Sequence, residues 1–213
     1  MTQLELKKEI ANSLTHVVGV VFAFIGTVIL LSLAVKHGSA LHVTGLSVYC
    51  GSLILLYLAS TLYHSIQHGL TKRVLRIVDH VSIYLLIGGS YTPFVFIFFN
   101  KSYGWTFLAV IWALVVAASM LKIFFMNKYN VIGMIAYVGL GWLAVFLFKP
   151  MMTVMPWHIL ILIAGGGIFY TVGILFYAWK RYTYHHAVWH IFVLTASVLH
   201  YVALVFCVAE LNV

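Results

Sequence analysis

Two histidines one helical turn apart, His186 and His190, are the residues of this chain best placed to do chemistry. At i and i+4 they share one face of a helix, so both imidazoles can reach a single metal ion. An H-x3-H pair alone is a weak signal. Here a third imidazole, His64, and the only aspartate, Asp79, sit at the ends of other apolar stretches, in a chain that is 64% hydrophobic and 8% charged. Three neutral imidazoles suit Zn²⁺ and leave one tetrahedral position open, the arrangement of a catalytic zinc site. Iron and copper also take imidazoles, but no cysteine or further carboxylate argues for them. Ser60 stands one turn before His64 and can orient the ring, or a water, by hydrogen bonding. Asp79 is costly inside an apolar span and calls for a partner or a function; the plainer roles are an ion pair with Arg76 or a cap near a helix N-terminus. His80 and His185 adjoin favoured residues but turn about 100° away from them on a helix. His16 reads as a supporting partner of the site.

The elements that must position these groups are membrane helices. A mean hydropathy of +1.08 over 213 residues describes a chain whose solvent is mostly lipid. Apolar runs and their breaks predict seven spans near 14–36, 42–67, 75–99, 104–125, 130–148, 157–179 and 186–209. The connections are short, and the whole chain, 1–213, reads as one seven-helix domain. Val17–Val35 is longer than the roughly 7–15 residues of a secretory h-region, so the first span is read as an uncleaved helix. Pro93 predicts a kink in the third span, and Gly165-Gly166-Gly167 a close-packing surface in the sixth. Cys50 and Cys207 read as small apolar residues.

Twelve Lys and Arg against four acidic residues give a formal charge of +8. These cations sit singly or in pairs at span ends, which fits topology signals and lipid head groups and excludes nucleic acid as a partner. With the N-terminus cytoplasmic, one face collects Lys7, Lys8, Lys72, Arg73, Arg76, Lys122, Lys128, Lys180 and Arg181. The other keeps Lys36, Lys101 and Lys149. The expected topology is therefore N-terminus inside and C-terminus outside, opposite to a G-protein-coupled receptor. It places His64, Asp79, His186 and His190 together at the inner face.

Glu9-x2-Asn12-x2-Thr15-His16, the Ser60–His64 segment STLYH, Asp79-His80 leading into GSYTPF, and His186-Ala-Val-Trp-His190 occur in that order. This ordered set resembles the hemolysin III group of bacterial membrane proteins, a branch of the progestin and adipoQ receptor family that includes the adiponectin receptors, with the alkaline ceramidases as more distant relatives. The resemblance covers essentially the whole chain. It implies a seven-helix bundle in the bacterial inner membrane, with zinc held by His64, His186 and His190. It further implies that Asp79 holds or activates a water there, that Ser60 supports the site, and that His16, Asn12 and Glu9 lie around it. Lys8 departs from the pattern, since members often carry a second acidic residue there. Thr195-Ala196 likewise replaces a small, often Gly-rich pair.

The function expected from this set is zinc-dependent hydrolysis of a lipid amide or ester bond, in the service of membrane lipid homeostasis. A receptor or regulator of membrane state with a structural zinc is the alternative, and a pore-forming hemolysin a further one. A membrane lipid is the expected partner, and self-association into a homo-oligomer stays open.

Overall fold

The computed structural model describes residues 2–100, 102–126 and 130–212, apart from the side chains of Ser102, Asn130 and Asn212. Lys101 and Lys128, both counted in the charge asymmetry, lie outside the described residues. The described chain is all helical: α1 (Gln3–His37), α2 (Ala40–Ser65), α3 (Gly69–Phe98), α4 (Ser102–Phe124), α5 (Asn130–Gly141), α6 (Phe148–Val154), α7 (Trp157–Ala178) and α8 (His185–Ala209). A 3₁₀ segment, Trp142–Leu147, joins α5 to α6, and another, Glu210–Asn212, follows α8. Seven stretches are long and apolar enough to cross a membrane, the fifth being Val131–Val154.

Three elements differ from the sequence expectation, each for a local reason. α1 begins at Gln3, about three turns early, because Thr2 and Glu5 form a capping box: the Thr2 hydroxyl accepts the Glu5 N–H at 3.2 Å and the Glu5 carboxylate accepts the Thr2 N–H at 2.7 Å. α3 likewise starts at Gly69, so Thr71, Lys72 and Arg73 belong to its first turns rather than to a loop. The fifth span is broken, and Lys149 and Pro150 lie inside α6 rather than in a connection. Proline is tolerated there because the first turn of a helix needs no N–H donor at that point.

In lipid, apolar burial no longer drives helices together, so close packing and interhelical hydrogen bonds must do so. α1 packs on α2 and α8, α2 on α3, α3 on α4, and α7 on α8. Ala23, Leu30, Leu53, Tyr57, Ala203 and Leu204 fill the seam between α1, α2 and α8. Gly166 lets α7 close onto α8, since a Cβ there would overlap the His200 ring. α3 runs unbroken through Pro93, with the Thr92 hydroxyl donating to Gly88 O at 2.8 Å and accepting the Trp112 indole N–H of α4 at 3.1 Å. Val28, Phe146 and Trp157 are among many large apolar side chains left exposed on the outer surface, where lipid would meet them. Trp105, Trp157 and Trp179 sit near span ends, as interfacial anchors do.

Helix packing leaves one side loose. α5 and α6 meet α7 only sparsely, and a cavity of about 340 Å³ lies between α3, the α5–α6 span, α7 and α8.

Candidate metal centre

Three helices converge at the end of the bundle where α1 and α8 begin and α2 ends. His64 closes α2, and His186 and His190 occupy the first two turns of α8. Each ring offers a nitrogen within 4.8 Å of the other two. Ring centroids are 5.0 Å apart for His64 and His186, 5.2 Å for His64 and His190, and 4.6 Å for His186 and His190. His64 and His190 are buried, at 4% and 0% exposure.

α1 supplies the groups that orient the rings. His64 Nδ1 donates to Glu9 Oε2 at 2.5 Å, and His190 Nδ1 donates to the Asn12 carbonyl at 3.1 Å. A carboxylate and a carbonyl can only accept, so both Nδ1 atoms carry the proton and both Nε2 atoms keep their lone pairs. Those Nε2 atoms, and that of His186, are buried and have no hydrogen-bond partner among the described residues. Three buried, unpartnered ring nitrogens in one close group of histidines fit a metal ion, and His64 and His190 make the outer-shell bonds that metal-ligating histidines usually make.

The Thr15 hydroxyl donates to Asn12 O at 2.8 Å and lies 3.1 Å from His190 Nδ1, tying that ring to α1 a second time. Asn12 also places its side-chain amide 3.5 Å from His64 Nδ1. Glu9 is held in turn by Lys72, whose Nζ lies 2.7 Å from Oε1, 2.9 Å from Gln67 Oε1 and 4.7 Å from the centre of the Tyr63 ring. Asn12 follows Glu9 by three residues, and Thr15 and His16 follow Asn12 by three and four, which puts them on one side of α1.

His16 meets the cluster through its ring face rather than through a nitrogen: it stacks on His190 at 3.6 Å and meets Tyr57 edge-on at 5.2 Å. Asp79 is buried on α3, with its carboxylate near His64, Arg76 and the Ser60 hydroxyl. Its Oδ2 is 3.7 Å from His80 Nδ1, which itself donates to Arg76 O at 2.8 Å. Ser60, 1% exposed, makes no side-chain hydrogen bond of standard geometry among the described residues. His185, one residue before the cluster, has its ring 6.3 Å from that of His186 and stays outside the group of three.

Asp79 and His16 both line the cavity, which follows α3 from Asp79 to Phe94, about 22 Å at 1.5 Å per residue. Beyond that polar end the lining is largely apolar, with Ile83, Leu86, Val145, Met151 and Ile163 among its residues.

The profile of the family described as "Haemolysin-III related" matches residues 4–201, nearly the whole chain and every residue of this centre. The chain belongs to that family. Within reach of this haemolysin-III-related protein are "Hemolysin-3" of Bacillus cereus, 41% identical over 98% of this chain and 94% of that one, and "Hemolysin-3 homolog" of Bacillus subtilis (strain 168), 40% identical over 95% and 93%. The human "Monocyte to macrophage differentiation factor" is 26% identical over 91% of this chain and 82% of its own. The family is a membrane family, and the chain is an integral multi-pass membrane protein with a histidine group able to hold a metal ion.

Two residues that support the rings were assigned no role at the site from the sequence. Thr15 had a signal, its place three residues after Asn12 on the face that meets α8. Lys72 had none beyond its charge, and its link to Glu9 depends on α1 and α3 both packing on α2.

Proposed function

We propose that His64, His186 and His190 bind Zn²⁺ at the cytoplasmic face of the bacterial inner membrane, and that the protein hydrolyses an amide or ester bond of a membrane lipid. The observation that carries this reading is a group of three histidines with unpartnered Nε2 atoms, one of them, His64, near Asp79, which in turn lines the polar end of a long apolar cavity. Its volume lies in the range of roughly 300–1,000 Å³ typical of small-molecule sites, and its lining suits an acyl chain rather than an ion. Zinc at such a site would supply Lewis acidity toward water and toward a scissile carbonyl.

The chain's own residues divide the remaining work. The apolar wall seats the acyl chain and excludes bulk water from the polar end. Asp79 takes a proton from the attacking water on a carboxylate oxygen and returns it to the departing amine or alkoxide as the acyl bond breaks. Ser60 stands where its hydroxyl can steady that carboxylate. Glu9, Asn12 and Thr15 keep His64 and His190 in the tautomer that leaves Nε2 free. Membrane lipid homeostasis is the setting this chemistry would serve.

A cytoplasmic N-terminus is part of the same reading, supported by the excess of Lys and Arg at the histidine end. One feature favours a second role, a structural zinc in a receptor or regulator of membrane state. α2 and α8 share few direct contacts and are both packed on α1, so a metal held by His64, His186 and His190 would staple them.

Metal analysis of the purified protein, with hydrolysis of fluorescent long-chain lipid amides and esters, tests the proposal. About one zinc per chain is expected, lost in His190→Ala, whereas Asp79→Asn keeps the metal and loses turnover. Stoichiometric zinc with no hydrolysis by wild type would leave the structural role, and absence of zinc would end both.

A further inference from the structure

Part-way along its apolar wall the cavity is lined by two polar rings, Tyr170 of α7 and His200 of α8. They meet edge-on, with centroids 5.6 Å apart. His200 lies ten residues beyond His190 on α8, about 15 Å farther along the helix at 1.5 Å per residue. The pair therefore stands well away from the histidine centre and shares no residue with it.

Away from the histidine end, the other polar side chains of the lining already have partners. Ser90 donates to Leu86 O at 2.8 Å, Tyr137 to His80 O at 3.1 Å and Thr171 to Gly167 O at 2.8 Å, while Tyr91 is taken up by the break in the fifth span. His200 differs. Its Nε2 donates to Ile163 O at 3.2 Å, and a carbonyl can only accept, so Nδ1 keeps its lone pair. That nitrogen is buried and has no partner among the described residues. The Cδ2–Nε2 edge of the ring packs against Gly166, which leaves Nδ1 on the opposite edge. The Tyr170 oxygen is 2.9 Å from Ser197 Oγ, and either can be the donor. When Ser197 donates, the Tyr170 O–H is free for a ligand. An acceptor buried with nothing to accept is costly, and a few such groups on an apolar wall are how small-molecule sites select a ligand.

We propose that His200 and Tyr170 form a second polar station of the cavity, which binds a hydroxyl carried part-way along the acyl chain of a ligand. The hydroxyl donates to His200 Nδ1 and accepts from the Tyr170 O–H, using both of its capacities. A keto oxygen cannot replace it, since His200 Nδ1 needs a donor. The station rests on the seating of the chain under the proposed function, with its carbonyl at the Asp79 end. An extended chain advances roughly 1.2 Å per bond, so about 15 Å places the hydroxyl about twelve carbons from the carbonyl.

The test is native mass spectrometry of the full-length protein, stripped of lipid in detergent and titrated with free fatty acids. The probes are octadecanoic acid and the same acid bearing a hydroxyl or a keto group at its twelfth carbon. Binding of free acids needs no turnover, so it reads the cavity whether or not the protein is a hydrolase. The hydroxy acid should bind about tenfold more tightly than octadecanoic acid, and the keto acid should not share the gain. His200→Phe should abolish the preference and Tyr170→Phe should reduce it, both with wild-type metal content. Equal affinity for the hydroxy and plain acids in wild type overturns the station alone and keeps the cavity as an acyl-chain site. A keto acid bound as tightly as the hydroxy acid, or a preference that survives in His200→Phe, also removes it. A wild type that binds none of the acids overturns both the station and the seating of an acyl chain in the cavity. If His200→Phe does not fold, Tyr170→Phe carries the comparison, and an undiminished preference there counts against the station.

Discussion

His64 owes its readiness for a metal to a residue fifty-five positions away: Glu9 accepts its Nδ1–H, and Lys72 holds Glu9 in place. A carboxylate behind an imidazole raises the basicity of the other nitrogen and fixes the ring, and losing such a partner typically lowers metal affinity about 10–100-fold. Glu9→Gln and Thr15→Val are therefore expected to lower zinc affinity within that range, measured by competition with a chromogenic chelator. Lys72→Met should do so to a smaller extent, with Lys72→Arg restoring it. Unchanged affinity in Glu9→Gln would show that the carboxylate does not serve the ring. At this scale the sequence made the histidine group legible, and part of what surrounds it. The i, i+4 pair of His186 and His190 is visible because helical geometry is local. Lys72 was not, because its role depends on α1 and α3 both packing on α2, which no spacing encodes.

Helices carry the next lesson, in the fifth span. Its break, where α5 passes into a 3₁₀ segment, is held from α3: the Tyr91 hydroxyl accepts the Ala144 N–H at 3.0 Å and lies 2.7 Å from Gly141 O and 3.0 Å from Leu140 O, to which it can donate. In a bilayer no water is at hand to satisfy these backbone groups. Tyr91→Phe should thus destabilise the protein by about 1–3 kcal/mol, the cost of stranding a buried polar group. Hydrogen exchange at residues 141–147 should rise with it; wild-type exchange there would show that the 3₁₀ segment holds itself. Apolar run length made all seven spans legible but blurred this break, because Trp142–Leu147 is as hydrophobic as the helices flanking it. The early start of α1 was encoded, in the Thr2-x2-Glu5 capping box, but hydropathy alone discounts a polar helix end. That extension matters, since it carries Glu9 and Asn12 to the centre.

Across the whole molecule, the histidine end and the cavity are consequences of one packing choice. α1 braces α2 and α8 so that their histidines meet, and α5 and α6 stand off from α7 so that space opens beside Asp79. No run of residues announces that space, since its walls come from the same apolar side chains that would otherwise fill a core. If the cavity seats the acyl chain of a substrate, shortening it must discriminate by chain length while sparing the metal. Ala164 of α7 lines the cavity away from the histidines and makes no contribution to the centre. Ala164→Trp should therefore leave zinc content unchanged, reduce turnover of long-chain lipid amides or esters by about tenfold or more, and spare short-chain analogues. Parallel losses on long and short chains would point to a distorted centre instead. Equal turnover of both would place the acyl chain outside the cavity, against the lipid-facing surface of the bundle.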